Sequence, residues 1–298
     1  MKMNGLCMLT LLATAVLSAP ALAQDAGTLK KIKETGGITL GHRESSIPFS
    51  YYDDKQNVIG YSHEIMLKIL DAVKADLKLP KLEVKLLPVT SANRITLIQN
   101  GVVDIECGST TNNTERQKQV SFSNTIFVIG TRLLTKKDSG IKDFPDLAGK
   151  NVVTTAGTTS ERLLRKMNED KNMKMNVISA KDHGESFLTL ETGRAVAFMM
   201  DDALLYGETA KAKRPADWVV VGTAQSEEAY GCMLRKDDPA FKKVADTAIA
   251  KLMTSGEAVK IYDKWFLNPI PPKGLNLNMP MSDEMKALYK SPNDKAFE

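Results

Sequence analysis

From residue 37 onward, short apolar strands alternate with amphipathic helices, and a polar turn stands at the end of each strand. This alternation constrains the fold more than any other feature. Parallel strands need a crossover of about a dozen residues, which a helix supplies. The rhythm therefore implies an α/β fold with a mostly parallel sheet covered by helices. Residues 37–41 read as a strand running into the polar turn 42–46. Residues 58–61 lead to Ser62, a candidate cap for a helix on which Ile65, Met66, Ile69, Leu70, Val73 and Leu77 recur at helical spacing. Residues 82–86 alternate as a strand, 91–99 form a short helix stopped by Asn100-Gly101, and 102–106 form a strand again.

A second such unit begins near Leu147. Residues 152–155 form its first strand, and Thr158 with Glu161 fits a capping box for a helix over 162–168. Strands at 176–180, 195–200 and 218–221, with a helix over 185–192, complete it. A strand at 230–234 precedes a long helical region over 239–266, and the Pro- and Asn-rich tail beyond it reads as loop. At 298 residues, two lobes suit the chain better than one oversized core.

The amino terminus reads as a targeting segment outside the fold. Lys2 supplies the positive region, an apolar run covers 6–17, and Ala21-Leu22-Ala23 is a small-x-small site, so residues 1–23 are expected to be a signal peptide cleaved after Ala23. The run is too short to span a bilayer, and the mature protein should be exported, soluble and free of membrane insertion. Cleavage removes Cys7 and leaves Cys107 and Cys232. Two cysteines in an oxidising compartment predict a disulfide, with two buried free thiols as the alternative. The formal charge of +4, scattered as single lysines, excludes a nucleic-acid footprint or a polybasic anchor.

Enzyme signatures are missing. There is no Gly-x-Ser-x-Gly elbow, and Gly149-Lys150 lacks the rest of a phosphate loop. His42, His63 and His183 are not at ligand spacing, so no metal and no cofactor is expected. The polar turns say more, because ligands of open α/β sheets bind at the carboxyl ends of strands. Those ends carry Arg43, Ser91, Arg94, Ser109, Thr111, Arg116, Thr159, His183 and Asp201. Three arginines, several hydroxyls and one acid can receive two carboxylates and one ammonium. Taken singly, each has a plainer explanation: an exposed Arg is a solvated charge, Asp201 caps the next helix, and His183 beside Gly184 sits in a turn.

Four stretches carry a resemblance. They are Gly41-His42-Arg43-Glu44-Ser45-Ser46-Ile47-Pro48-Phe49-Ser50-Tyr51-Tyr52-Asp53, Glu106-Cys107-Gly108-Ser109-Thr110-Thr111-Asn112-Asn113, Ile178-Ser179-Ala180-Lys181-Asp182-His183-Gly184, and Ala195-Val196-Ala197-Phe198-Met199-Met200-Asp201-Asp202-Ala203. From Gly36 to the carboxyl terminus the chain resembles the periplasmic glutamate/aspartate-binding proteins of bacterial ABC transporters, in solute-binding protein family 3. The resemblance implies a class II periplasmic-binding fold, with two α/β lobes joined by crossings near 127–131 and 223–229. The larger lobe would be 24–128 plus 229–298, holding the disulfide, and the smaller lobe 129–228. It further implies that Arg116, Thr111, Ser109 and Thr159 hold the ligand's α-carboxylate. Asp201 would take its ammonium, and Arg43, Arg94, Ser91 and His183 its side-chain carboxylate. The implied partners are L-glutamate or L-aspartate and a membrane permease, with the protein itself a monomer. An enzyme on the same fold and a sensory ligand-binding module are the alternatives.

Overall fold

The computed structural model describes residues 27–296; the expected signal peptide, its cleavage after Ala23, and Cys7 lie outside the described residues. Helix α1 (Thr28–Thr35) leads into β1 (Gly37–His42), followed by a small sheet of β2 (Ser45–Ser46), β3 (Ser50–Tyr52) and β4 (Val58–Ile59). Next come α2 (Tyr61–Leu77), β5 (Glu83–Pro88), α3 (Arg94–Gln99), β6 (Ile105–Glu106) and α4 (Thr114–Gln117). The long strand β7 (Ser121–Lys136) leads to β8 (Asn151–Thr155), α5 (Thr159–Asp170), β9 (Asn176–Ala180) and α6 (His183–Glu191). The second unit continues through β10 (Ala197–Asp201), α7 (Asp202–Lys211) and β11 (Trp218–Val221). The chain returns along β12 (Glu227–Leu234) to α8 (Pro239–Thr254), α9 (Glu257–Phe266) and α10 (Asp283–Lys290).

The expected βαβ units are present twice. Strand β1 lies between β5 and β6, and β8 between β9 and β10, all parallel. The sheet as a whole is mixed rather than mostly parallel. Its hydrogen-bonded order β5-β1-β6-β12-β7-β10-β8-β9 includes antiparallel pairs, and every one of them in this sheet involves β7 or β12. The reason is topological: a chain that leaves one unit and returns to it crosses the gap in opposite directions. Strand β7 changes partners in mid-course. Up to Gly130 it pairs with β12, and from Thr131 it pairs with β10 and β11.

Several local expectations are corrected. Ser62 does not cap α2; its hydroxyl donates to the Gly108 carbonyl (2.8 Å), and the cap position is Gly60 at φ +131°. A Cβ at Gly60 would lie 2.3 Å from the Phe49 carbonyl oxygen, so only glycine fits there. The expected polar turn 42–46 contains β2, and the expected strand 102–106 is formed only at Ile105–Glu106. The capping box before α5 is half made: Thr158 accepts from the Glu161 amide (3.0 Å), but the Glu161 carboxylate reaches Gly157 N (2.8 Å) instead of the cap residue. The helical region 239–266 breaks at Gly256, whose φ is +80°. The tail expected to be loop contains α10, which buries Met285, Leu288 and Tyr289 and joins Tyr289 to the Tyr61 hydroxyl (2.7 Å). Eight residues make a marginal helix alone, so its stability comes from that packing.

The two cysteines are bridged, with Cα atoms 4.3 Å apart, and fasten the end of β6 to β12. Beside them Phe49, Tyr61, Phe127, Tyr230, Tyr262 and Phe266 pack as one buried aromatic cluster, Phe127 stacking on Phe266 with centroids 4.9 Å apart. A separate apolar cluster of Leu133, Phe144, Leu147, Val152 and Leu164 serves the second unit. No helix among the described residues is long and apolar enough to cross a membrane.

Candidate functional site

Strand ends of both units converge on one set of buried polar groups. Arg43 follows β1, Arg94 opens α3, and Arg116 lies in α4, where the Asn113 side chain caps its backbone N–H at 2.9 Å. These guanidinium-bearing residues are only 1, 2 and 8 % exposed, which removes the solvated-charge explanation for all three. The second unit brings Thr159 at the start of α5, His183 at the start of α6, and Asp201 at the end of β10. Ser91, Ser109 and Thr111 are buried in the same region.

The groups divide into two ends. At one end Arg43 Nη1 donates to Ser109 Oγ (3.4 Å), and Arg94 Nη1 donates to Ser109 O (3.0 Å) and to Thr110 Oγ1. Burial, then the Arg43 and Arg94 charges, hold His183 well below its ordinary pKa, so the ring is neutral. Its Nδ1 meets Thr155 Oγ1 at 2.8 Å. His183 Nε2, Ser91 Oγ and Arg94 Nε are buried without a hydrogen-bond partner among the described residues. Glu106 Oε1 is unpaired there too, and since unpaired buried polar atoms cost about 1–3 kcal/mol each, such a set marks a place for a polar ligand.

At the other end Arg116 donates to Thr111 O (3.0 Å) and, across to the second unit, to Gly157 O (3.2 Å). Burial, then the Arg94 charge, push its pKa down to about 9. Asp201 accepts from Thr131 (2.8 Å), Ser160 (3.3 Å) and Tyr230, so its carboxylate binds these hydroxyls and does not cap α7. Burial and the Glu228 charge push Asp201 up to about 7. A cavity of about 500 Å³ lined by Thr111, Thr159, Arg162, Ser226 and Glu228 opens beside this end.

Sequence reasoning missed two buried acids here. Glu106 accepts from Thr110 Oγ1 (2.7 Å), and its charge partly offsets the burial that lowers the Arg43 and Arg94 pKa values. Glu228 accepts from Thr159 Oγ1 (2.9 Å) and Ser226 Oγ (2.6 Å). Three arginines therefore face three acids, not Asp201 alone. Glu106 closes a strand, and Glu228 lies within one, so no turn motif flagged either. Thr131 and Tyr230 were overlooked for the same reason.

The units touch closely around these groups. A Cβ on Gly157 would sit 2.6 Å from the Ala92 Cα, and one on Gly207 would sit 2.2 Å from the Ile47 carbonyl oxygen. The Gly184 amide donates to Ser45 Oγ at 3.3 Å.

Residues 38–268 match the model of the bacterial extracellular solute-binding proteins, family 3. The chain is 68 % identical over 291 residues to the L-glutamate/L-aspartate-binding protein of Pseudomonas aeruginosa, covering 97 % of this chain and 96 % of that protein. It is 64 % identical to the glutamate/aspartate import solute-binding protein of Escherichia coli K12, covering 96 % and 97 %. Among solved structures it resembles an ArgBP of T. maritima (TM-score 0.71, 26 % identity, 80 % of this chain and 98 % of that one). It also resembles a cysteine-binding protein of Campylobacter jejuni (TM-score 0.70, 26 % identity, 80 % and 92 %). With two α/β units closing on buried arginines and this likeness along nearly its whole length, the chain belongs to the bacterial extracellular solute-binding proteins of family 3.

Proposed function

We propose that this protein captures L-glutamate and L-aspartate in the periplasm and delivers them to the permease of an ABC transporter. The observation that carries this reading is the meeting of Arg43, Arg94 and Arg116, all buried, with Thr159, His183 and Asp201 from the facing unit. Bidentate Arg–carboxylate bonding suits two carboxylates held apart in fixed geometry. The names of the relatives favour import over an enzyme or a sensory module.

In this reading Arg116, Thr111, Ser109 and Thr159 hold the α-carboxylate, and Asp201 receives the ammonium. Arg43, Arg94, Ser91 and His183 hold the side-chain carboxylate. Thr155 Oγ1 engages Nδ1 of the neutral His183 ring, which leaves Nε2 for that carboxylate. The larger lobe comprises 24–128 and 229–298, and the smaller 129–228, with the hinge where β7 changes partners and along 223–229. Residues 1–23 direct export and are removed after Ala23.

Within the otherwise balanced site Arg43 and Arg94 repel locally: burial and the Arg94 charge push Arg43 down to about 10. Ligand carboxylates relieve that repulsion, so ligand selects the closed state. Calorimetry across a panel of amino acids should give saturable binding for glutamate and aspartate, and small-angle scattering should give a smaller radius of gyration with glutamate than without. No binding of either acid would sink the function, and an unchanged profile at saturation would sink the hinge.

Gly207→Ala tests closure separately. The added methyl would lie 2.2 Å from the Ile47 carbonyl oxygen of the other unit, so with the proposed hinge it clashes in the closed state and not in the open one. Overpacking of this kind costs roughly 1–3 kcal/mol, about 5- to 150-fold in Kd. Alanine suits a helix, so the thermal midpoint of the ligand-free protein should scarcely move. Unchanged glutamate affinity in this variant would mean that the bound state holds the two units further apart.

A further inference from the structure

A chain of hydroxyls joins two buried carboxyl groups across both crossings. Thr131 Oγ1 lies 2.8 Å from Asp201 Oδ1 and 2.8 Å from Ser226 Oγ, which lies 2.6 Å from Glu228 Oε1. Three links are present, but the two hydroxyls own two protons. With both carboxyls ionised, Thr131 donates to Asp201 and Ser226 donates to Glu228. The two hydroxyl oxygens would then face each other at 2.8 Å with nothing between them. One more proton, on either carboxyl, lets all three links point the same way. The neighbouring donors cannot supply it: Tyr230 and Ser160 donate to Asp201, and Thr159 donates to Glu228 Oε2.

Charge balance leads to the same count. Among the buried charges Arg43, Arg94 and Arg116 face Glu106, Asp201 and Glu228, and Arg162 and Asp202 at the edge add one charge of each sign. A dicarboxylic amino acid adds one net negative charge, which a single proton cancels. Burial, the Glu228 charge and the Asp202 charge all raise Asp201, to about 7. The remaining charges around the pair are Arg94, which feels Asp201, and Arg116, which feels Asp201, Glu228 and Arg162. Tyr230 donates to Asp201 and stays protonated, its pKa raised well above the ordinary value by burial first.

We propose that closure traps one proton on the Asp201–Glu228 pair, and that the bound amino acid's ammonium drives it along the Thr131–Ser226 chain to the Glu228 end. The proposal rests on the function proposed above. With Glu228 donating to Ser226, Ser226 to Thr131, and Thr131 to Asp201, the Asp201 carboxylate meets the ammonium ionised. Glu228 still accepts from Thr159. In water, carboxyl groups of pKa about 4 are ionised at neutral pH, so the proton comes from solvent as the cleft closes. The bound state holds more protons than the open one, so binding weakens as pH rises.

Calorimetry of glutamate binding in buffers of different ionisation enthalpy, at about pH 6.5, counts that proton. Uptake of roughly 0.5–1 proton per glutamate is expected, with affinity falling by up to tenfold per pH unit between about pH 6 and 8. Glu228→Gln brings an amide N–H to the Ser226 link, so uptake should drop to near zero and the pH slope should flatten. Binding heat in the native protein that does not depend on buffer, or that reports proton release, overturns the shared proton and leaves the proposed function standing. Uptake that persists undiminished in Glu228→Gln overturns it too. Absence of saturable binding by glutamate and aspartate overturns the function, and the proposal falls with it.

Discussion

Arg43→Met will weaken glutamate binding by roughly 30- to 4,000-fold and sharply narrow its advantage over glutamine. Removing one partner of a desolvated charge pair typically costs about 2–5 kcal/mol. Among the described residues the Arg43 guanidinium makes one long bond, to Ser109 Oγ at 3.4 Å, so its donor fork is largely uncommitted. A methionine covers the same stem without the charge, and the packing loss is small. Arg94→Met should act in the same direction, with an added cost because Arg94 also holds Ser109 O and Thr110. Arg116 is different. It is assigned to the α-carboxylate that every amino acid carries, and it bridges the two units through Gly157 O. Arg116→Met should therefore weaken glutamate and glutamine together and leave their ratio nearly intact. A calorimetric series of both ligands against the three variants decides the matter. A larger change of ratio in Arg116→Met than in Arg43→Met would mean that the ligand lies the other way round.

Loss of the disulfide is expected to be the largest stability effect. Cys107 and Cys232 are 125 residues apart in sequence, and the loop they close contains β7 through β11. Chain-entropy arguments give about 4–5 kcal/mol for such a crosslink. In a protein of this size that corresponds to a fall in thermal midpoint of roughly 10–20 °C for the Cys107→Ser, Cys232→Ser double variant. Both cysteines are fully buried, so serine hydroxyls left in their place add a desolvation penalty. The bridge ties β6 to the returning strand β12, so it holds the first unit together whatever the second unit does. Alkylation of the unreduced native protein should add no mass. Two adducts, or a midpoint shift below about 3 °C in the double variant, would remove the bridge from the account.

Much of this molecule is written locally. The βαβ units follow from apolar periodicity, and Arg43, Arg94, Thr159, His183 and Asp201 could be nominated because each stands at the end of a strand or the start of a helix, with Arg116 in the short helix just beyond β6. Polar residues at such points have few uses other than capping and binding, which makes them conspicuous in a sequence. The cysteine pair was legible because the expected leader implied an oxidising compartment. Other features carried no local sign. Glu106 and Glu228 lie in strands, where an acid among apolar neighbours reads as an outward-facing residue. Ser226 is two residues from Glu228, but only the tertiary fold brings Thr159 of α5 against it. The helix α10 and the cap-free start of α2 at Gly60 likewise depend on what packs against them. The sheet is mixed because β7 and β12 cross between units in opposite directions, and direction is a property of the whole path of the chain. Sequence alone determined which residues were chemically able to bind an acidic amino acid. Tertiary structure decided their charge balance, because a carboxyl group changes its protonation in response to burial and to neighbours that are distant in sequence.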